Sequence, residues 1–249
     1  MVGAFRLPLH FDPALLLQDV REIEKQARWI DHWGAAPGEW GVIALISADG
    51  SPESIHCNGG DPGKPTPLLA KATHLQAAIG AFRAPILHAR LSRLRPHASI
   101  RPHRDFGYAS DRRWSFERGF IRVHVPILTD ERVQWRLADD RIDMRPGEAW
   151  YLNVCLRHSV ENPTDDDRVH LVLELQVNQW LRRLFPPETL WDKLRGMAIR
   201  RLEPPMWKLA KPLVGRPRRR STDVTRSTST ILVAARDEIP SPERKNGVE

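Results

Sequence analysis

The residue types that could do chemistry gather in one stretch of this 249-residue chain. His103 and Asp105 stand two apart, His158 follows 55 residues after the first histidine, and Arg168 comes ten residues after the second. Two imidazoles and one carboxylate form the facial set that holds a non-haem ferrous ion, Fe(II), while leaving other coordination positions open. Side chains two apart on an extended segment point to the same face, so His103 and Asp105 can reach one metal. His158, arriving from a later strand, completes the set without filling the sphere, and the open positions are what O2 activation needs. Arg168 sits among the apolar residues Val169, Leu171 and Leu173, where a cation is costly unless it meets an anion. Its guanidinium matches a carboxylate through two parallel hydrogen bonds, which makes it the expected anchor for a dicarboxylate cosubstrate. Two plainer readings stay open: a cupin-like barrel without iron, and a salt bridge from Arg168 to the nearby Asp165–Asp167 run.

The elements that must position these residues are legible in the hydrophobic pattern. Leu16, Val20, Ile23, Ala27 and Ile30 recur at spacings of three and four, which predicts an amphipathic helix over residues 14–30. EWGVIALISADG reads as a strand ending in a turn, the Gly- and Pro-rich stretch from Ser54 to Pro67 as loop, and TPLLAKATHLQAAIGAF as a second helix. From residue 86 the period changes to two, through Leu87, Ala89, Leu91 and Leu94. Short strands are then predicted at Phe120–Leu128, Val133–Ala138, Arg141–Met144, Glu148–Val154 and Val169–Val177, separated by turn signals such as Pro146-Gly147 and Asn162-Pro163. Helical character returns in QWLRRLF and in PETLWDKLRGMAIRRL. Many short strands after helices argue for a mainly β architecture, a sandwich or jelly-roll barrel backed by N-terminal helices.

The segments SRLRPHASIRPHRD, GFIRVHVPI, RPGEAWYLN and HSVENPTDDDRVHLVLEL carry a family resemblance. Over about 90 residues, from Ser92 to Trp180, the chain resembles the aspartyl/asparaginyl β-hydroxylase domain of the Fe(II)/2-oxoglutarate oxygenases. That resemblance implies a double-stranded β-helix, with His103 and His158 as iron ligands and Arg168 paired with the distal carboxylate of 2-oxoglutarate. It also implies that Ser92, His124 and Arg122 contact the cosubstrate, although His124 could equally be an ordinary buried barrel histidine. The mammalian members of the family lack a carboxylate two residues after the first histidine. Asp105 therefore brings this chain closer to the bacterial amino-acid and proline hydroxylases, and argues against halogenation. The implied activity is hydroxylation of an unactivated C–H bond of an amino acid or amino-acid residue, with release of succinate and CO2. The substrate is expected to be small, peptide-embedded or carrier-bound. The polar loop FGYASDRRWSFER beside the metal motif offers Asp111, Arg113 and Arg118 as substrate contacts, and Trp150 and Arg157 are further candidates for the pocket wall.

Composition bounds the rest. The chain is 41% hydrophobic and 28% charged, with apolar runs of about five residues, far short of the roughly 18 that a membrane-spanning helix needs. Its N-terminus, MVGAFRLPLHFDP, holds Pro, His and Asp where a signal peptide needs an unbroken apolar core. Cys57 and Cys155 cannot build a disulfide framework, so a cytoplasmic location is expected. The formal charge of +7 is unevenly placed: residues 1–180 hold 22 basic and 23 acidic side chains, and residues 181–220 hold 12 against 3. The expected organisation is an oxygenase domain over 1–185 with its core at 86–180, a basic helical extension over 186–220, and a disordered tail over 221–249. The neutral body gives no reason to expect specific nucleic-acid binding. The basic segment 181–220 suits weak contact with an anionic membrane, peripheral to its surface. Two other functions compete on that account: a lipid-modifying hydroxylase at the membrane surface, and a non-enzymatic cupin-like module with a basic interaction tail.

Overall fold

The computed structural model describes residues 3–57, 60–105, 116, 119–138 and 140–185. The predicted 186–220 extension and 221–249 tail lie outside them, as do Asp111, Arg113 and Arg118. Two antiparallel sheets make a jelly roll. The larger contains β1 (Ala4–His10), β2 (Ile30–Asp31), β3 (Trp40–Ser47), β4 (Lys64–Pro65), β5 (Ile86–Leu94), β7 (Phe120–Leu128), β10 (Glu148–Leu152) and β12 (Arg168–Gln176). Its order is β1-β10-β7-β12-β5-β3-β2, with β4 paired to β3. The smaller sheet, ordered β6-β11-β8-β9, is built from β6 (Ser99–His103), β8 (Gln134–Leu137), β9 (Asp140–Arg141) and β11 (His158–Glu161).

The helices α1 (Pro13–Glu24), α2 (Thr73–Gly80) and α3 (Gln179–Leu184) contribute to a single apolar layer. Asp12 caps α1 by accepting from the amides of Ala14 and Leu15, and Pro13 follows it at the first helical position, where its missing N–H is not needed. Leu16, Val20 and Ile23 of α1 join Leu75, Ala78 and Ile79 of α2 and Leu181 of α3. On the sheet side this layer is completed by Val169, Leu171, Leu173 and Leu175 of β12 with Ile121, Val123, Val125 and Ile127 of β7. The alternate residues of these strands face the other way, into the space between the sheets. There Trp40, Leu94, Ile100, Trp135, Leu152, Val154 and Val160 form a second apolar cluster. From Arg168 to Leu175 β12 is buried on both faces, yet one face is aliphatic and the other carries Arg168, His170 and Glu174.

Several elements differ from the sequence expectation; the strand predicted at Arg141–Met144 is the two-residue β9, whose pairing with β8 ends at Arg141. The first helix ends at Glu24, because Ile30 and Asp31 pair with Val42 and Gly41 as β2, and sheet pairing overrides the helical spacing of Ala27 and Ile30. The second helix divides into a 3-10 turn at Leu69–Lys71 and α2, with Ala72 between them in a non-helical conformation. Asp19 of α1 reaches across to accept from the Leu75 amide at 2.8 Å, a tertiary cap for a helix whose own residues supply none. β1 carried no clear sequence signal because Pro8 interrupts it. Pro8 is tolerated on this edge strand, which pairs only with β10 and shifts register between Leu7 and His10. The turn before β10 needs Gly147: its φ is +81°, and a Cβ there would lie 2.1 Å from the Phe11 carbonyl oxygen.

Leu173 is fully buried on the helix-facing side of β12. Leu173→Ala is expected to lower unfolding free energy by about 2–5 kcal/mol while leaving divalent-metal affinity at its wild-type value. Urea denaturation and metal titration of the same variant check both halves.

Candidate active site between the sheets

The two histidines meet because their strands are neighbours. β6 and β11 pair antiparallel with His103 opposite His158, and the imidazole centroids lie 4.2 Å apart. Asp105 follows β6 just past its end, where its amide donates to the Val154 carbonyl at 2.9 Å. One carboxylate oxygen lies 3.3 Å from His103 Nε2. The three ligand atoms offered by His103, Asp105 and His158 all fall within 4.8 Å of one another. Ligands about 2 Å from a shared metal would stand about 3 Å apart, so a small inward adjustment completes the geometry.

The tautomers of both rings follow from their partners. His103 Nδ1 lies 2.7 Å from the Arg101 carbonyl and His158 Nδ1 lies 3.0 Å from the Leu156 carbonyl. A carbonyl only accepts, so each Nδ1 carries the hydrogen and each Nε2 keeps the lone pair a metal requires. Burial pushes the His158 pKa down to about 4, which keeps this imidazole neutral near pH 7. Trp135 of β8 stacks on His158 with the rings 5.3 Å apart and 2° from parallel, limiting how far the ring can turn. The donor set therefore fits a divalent metal.

The outer carboxylate oxygen of Asp105 accepts from Arg122 Nη1. Arg122 in turn donates from Nη2 and Nε to Glu174 Oε1, at 2.6 and 3.2 Å. Burial would raise the Asp105 carboxyl, but the opposing charge of Arg122, chief among its neighbours, holds it well below the usual range. Burial would likewise raise Glu174, yet Arg122 and Arg90 keep it down at about 2. Arg122 itself is raised by Asp105 and Glu174 against the opposing effect of burial.

A pocket between the sheets is lined by His103, Asp105, His158, Ser92, Arg122, His124 and Arg168. All seven of these predicted residues are thus brought together, although Arg122 spends donors on Asp105 and Glu174. Ser92 Oγ accepts from Trp40 Nε1 at 3.0 Å. Arg168 is 2% exposed, and burial pushes its pKa down to about 9. Its Nη2 meets His170 Nδ1 at 2.8 Å, its Nε has no protein partner, and among the described residues no carboxylate pairs with it. The acidic run engages other side chains: Asp167 lies 3.4 Å from Arg95 and 3.7 Å from Arg93, and Asp165 lies 2.9 Å from His97. His124 is held far below its ordinary pKa by burial and by Arg168, and neither of its ring nitrogens has a protein partner.

Trp150 and Arg157 are not among the residues lining this pocket. Trp150 donates its indole N–H to Glu148 at 2.9 Å. Arg157 precedes His158, so strand alternation sends it outward, where it is exposed. The sequence reading missed Arg90, Glu174, Trp40 and Trp135. The signal that could have found Glu174 was the polar series Arg168, His170 and Glu174 at alternate positions of one strand.

Residues 22–177 match the aspartyl/asparaginyl beta-hydroxylase family. The chain belongs to that family. Two curated relatives are similar to this family member. L-proline cis-4-hydroxylase of Rhizobium meliloti (strain 1021) is 24% identical over 73% of this chain and 65% of its own length. L-proline cis-3-hydroxylase 1 of a Streptomyces species is 30% identical over 55% of this chain and 47% of its own length. The chain thus spans less than two thirds of the curated relatives it matches. Among solved structures, a 2OG-Fe(II) oxygenase family oxidoreductase from Burkholderia pseudomallei is 16% identical, with a TM-score of 0.44 over 71% of this chain and 85% of that one. Among the described residues, no helix is long and apolar enough to cross a membrane.

Glu174 neutralises Arg122, the cation nearest to the carboxylate ligand. Glu174→Gln is expected to leave that charge uncompensated and to weaken Mn(II) or Co(II) binding about 10–100-fold, as read by calorimetry on the purified protein. The same variant should change acid stability. The folded-state pKa of Glu174 lies below its ordinary 4.5, so its stabilising contribution is present above that pH and is lost as pH falls towards about 2. Between pH 5 and pH 3, the urea midpoint should therefore fall more steeply for wild type than for Glu174→Gln.

Proposed function

We propose that this protein is an Fe(II)/2-oxoglutarate-dependent dioxygenase that hydroxylates an unactivated C–H bond of a small amino acid, with L-proline the first candidate. The observation that carries the reading is the convergence of His103, Asp105 and His158, with both Nε2 lone pairs left available by Nδ1–H bonds to carbonyls. Family membership and the two proline hydroxylase relatives support the same chemistry.

In this reading, His103, Asp105 and His158 would hold Fe(II), which would supply the redox chemistry that couples O2 and 2-oxoglutarate to hydroxylation. Overall, substrate R–H, O2 and 2-oxoglutarate yield R–OH, succinate and CO2. Arg168 takes the distal carboxylate of 2-oxoglutarate, so an anion offsets a cation that the protein itself leaves unpaired. His124 and Ser92 line the same pocket and add polar contacts, the Ser92 hydroxyl held in place by Trp40. Arg122 holds the outer oxygen of Asp105, so that the inner oxygen faces the histidines. Burial of the pocket strengthens these charge interactions and limits side reactions with water.

Anaerobic reconstitution with Fe(II) and 2-oxoglutarate, followed by exposure to air with L-proline and other free amino acids, should give succinate and a product carrying one added oxygen atom, both read by mass spectrometry. His158→Ala is expected to lose both metal retention and succinate formation. Full turnover in that variant would sink the assignment.

A further inference from the structure

Of the buried cations in the pocket, Arg90 is the one that the anions of the described residues and the expected cosubstrate leave over. It lies on β5, is 5% exposed, and lines the pocket with His103, Asp105 and His158. Its cross-strand neighbours are Ala44 on β3 and Val172 on β12, neither of which can pair a charge. Arg90 Nη1 reaches the Ile55 carbonyl only at 3.4 Å and Glu174 Oε1 only at 3.5 Å, and that oxygen already takes two closer donors from Arg122. Arg90 Nε has no protein partner. A guanidinium presents five N–H donors, and in this one two long contacts through Nη1 leave Nε without an acceptor.

The charges around the pocket point the same way. Among the described residues, three buried guanidiniums, of Arg90, Arg122 and Arg168, face the buried carboxylate of Glu174 and the partly buried one of Asp105. Arg122 is matched by both carboxylates, and the proposed function assigns Arg168 to 2-oxoglutarate. The surplus positive charge then falls on Arg90. Burial lowers its pKa, with Glu174 acting in the opposite direction. Trp40 lines the same pocket as Arg90 and joins it to the ring cluster on that side. That side is aromatic: His32 lies 4.0 Å from Trp40 and 5.3 Å from His56, and the exposed Trp33 stands edge-on to His103 at 5.8 Å. Trp40 and Val172 line the pocket with Arg90 and would give an anion there an apolar side, with the Trp40 ring 6.5 Å from that of His103.

Building on the oxygenase reading of this site, we propose that Arg90 binds the carboxylate of the substrate, so that the substrate is an amino acid with a free α-carboxyl group. A peptide-internal residue or a carrier-bound thioester has no such carboxylate and would leave Arg90 buried without its anion. Arg90 suits this task because a planar fork matches a carboxylate with two parallel bonds, which fixes the orientation of the C–H bonds beyond it.

The test pairs a change in the protein with a change in the ligand. Binding of the common free α-amino acids, L-proline first, and of their carboxamides, L-prolinamide first, is measured by anaerobic calorimetry. The protein is loaded with Mn(II) and 2-oxoglutarate. Wild type should prefer the acid of its best ligand over the amide by about 100-fold, the loss typical when one partner of a buried charge pair is removed. Arg90→Gln should bring that ratio to within about threefold, and Arg90→Lys, which keeps the charge without the fork, should fall between. Mn(II) and 2-oxoglutarate titrations of each variant accompany these measurements, so that the acid-over-amide ratio is read only on protein that holds both. Unchanged acid-over-amide preference in Arg90→Gln overturns the proposal. If Arg90→Gln does not fold, Arg90→Lys decides it by the same ratio. Equal wild-type affinity for acids and amides also overturns it, as does the absence of any free amino-acid binding by wild type that still forms succinate. A wild-type protein that neither holds metal nor forms succinate fails the oxygenase reading itself, and the Arg90 assignment with it.

Discussion

The ion pair between Arg122 and Asp105 spans the gap between the two sheets. Arg122 projects from β7 of the large sheet, and Asp105 follows the end of β6 in the small one. Charges buried in this way are stable only when each is paired and hydrogen-bonded, because removing an ion from water costs several kcal/mol that an incomplete partner does not return. Glu174 supplies the second partner for Arg122, so the chain Asp105–Arg122–Glu174 holds the Asp105 carboxylate to the central strand of the large sheet. If that chain were broken, the two histidines would keep their places on β6 and β11, but the carboxylate that completes the donor set would lose its support.

Such a concentration of charge is affordable because the large sheet divides its work by face. The residues of β7 and β12 that meet the helices are uniformly aliphatic, and they carry the packing. The opposite face of the same strands is then released from that duty and holds Arg122, His124, Arg168, His170 and Glu174. A central strand buried on both sides normally reads as continuous apolar sequence. β12 departs from that rule at alternate positions, and the departures are the residues proposed to act on cosubstrate and metal ligand. Strain in polar satisfaction is likewise concentrated there: the unpartnered nitrogens of His124, Arg168 and Arg90 all belong to side chains that line one pocket.

Much of this arrangement was legible before any coordinates. The strand Phe120–Leu128 coincides with its sequence reading, and β10 and β12 differ from theirs by one or two residues at their ends, because period-two alternation is a strong local signal. The spacing of His103, Asp105, His158 and Arg168 indicated a metal and an anion, since the chemistry is inherent in the residue types. Less visible were the elements whose conformation answers to a distant partner. Ile30 continues a helical period yet lies in β2, and α2 is capped by Asp19, which is 56 residues from the amide it accepts. Glu174 and Arg90 look in sequence like the polar half of two alternating strands, equally suited to solvent. Their burial depends on the small sheet closing over that face.

The sequence by itself determined the chemical vocabulary of this protein: three side chains able to ligate a metal, a strand arginine set among apolar residues, and the alternation that makes the sheets. These are properties of residue type and short-range spacing, and local physics is sufficient to express them. The tertiary structure decided which charges neutralise one another. Arg122 and Glu174 are 52 residues apart and meet only across the β7–β12 pairing, while Arg168 stays clear of the acidic run immediately before it in the chain. Pairing of buried charges depends on distance within a few ångströms and on the exclusion of water. Neither exists until the sheets are assembled.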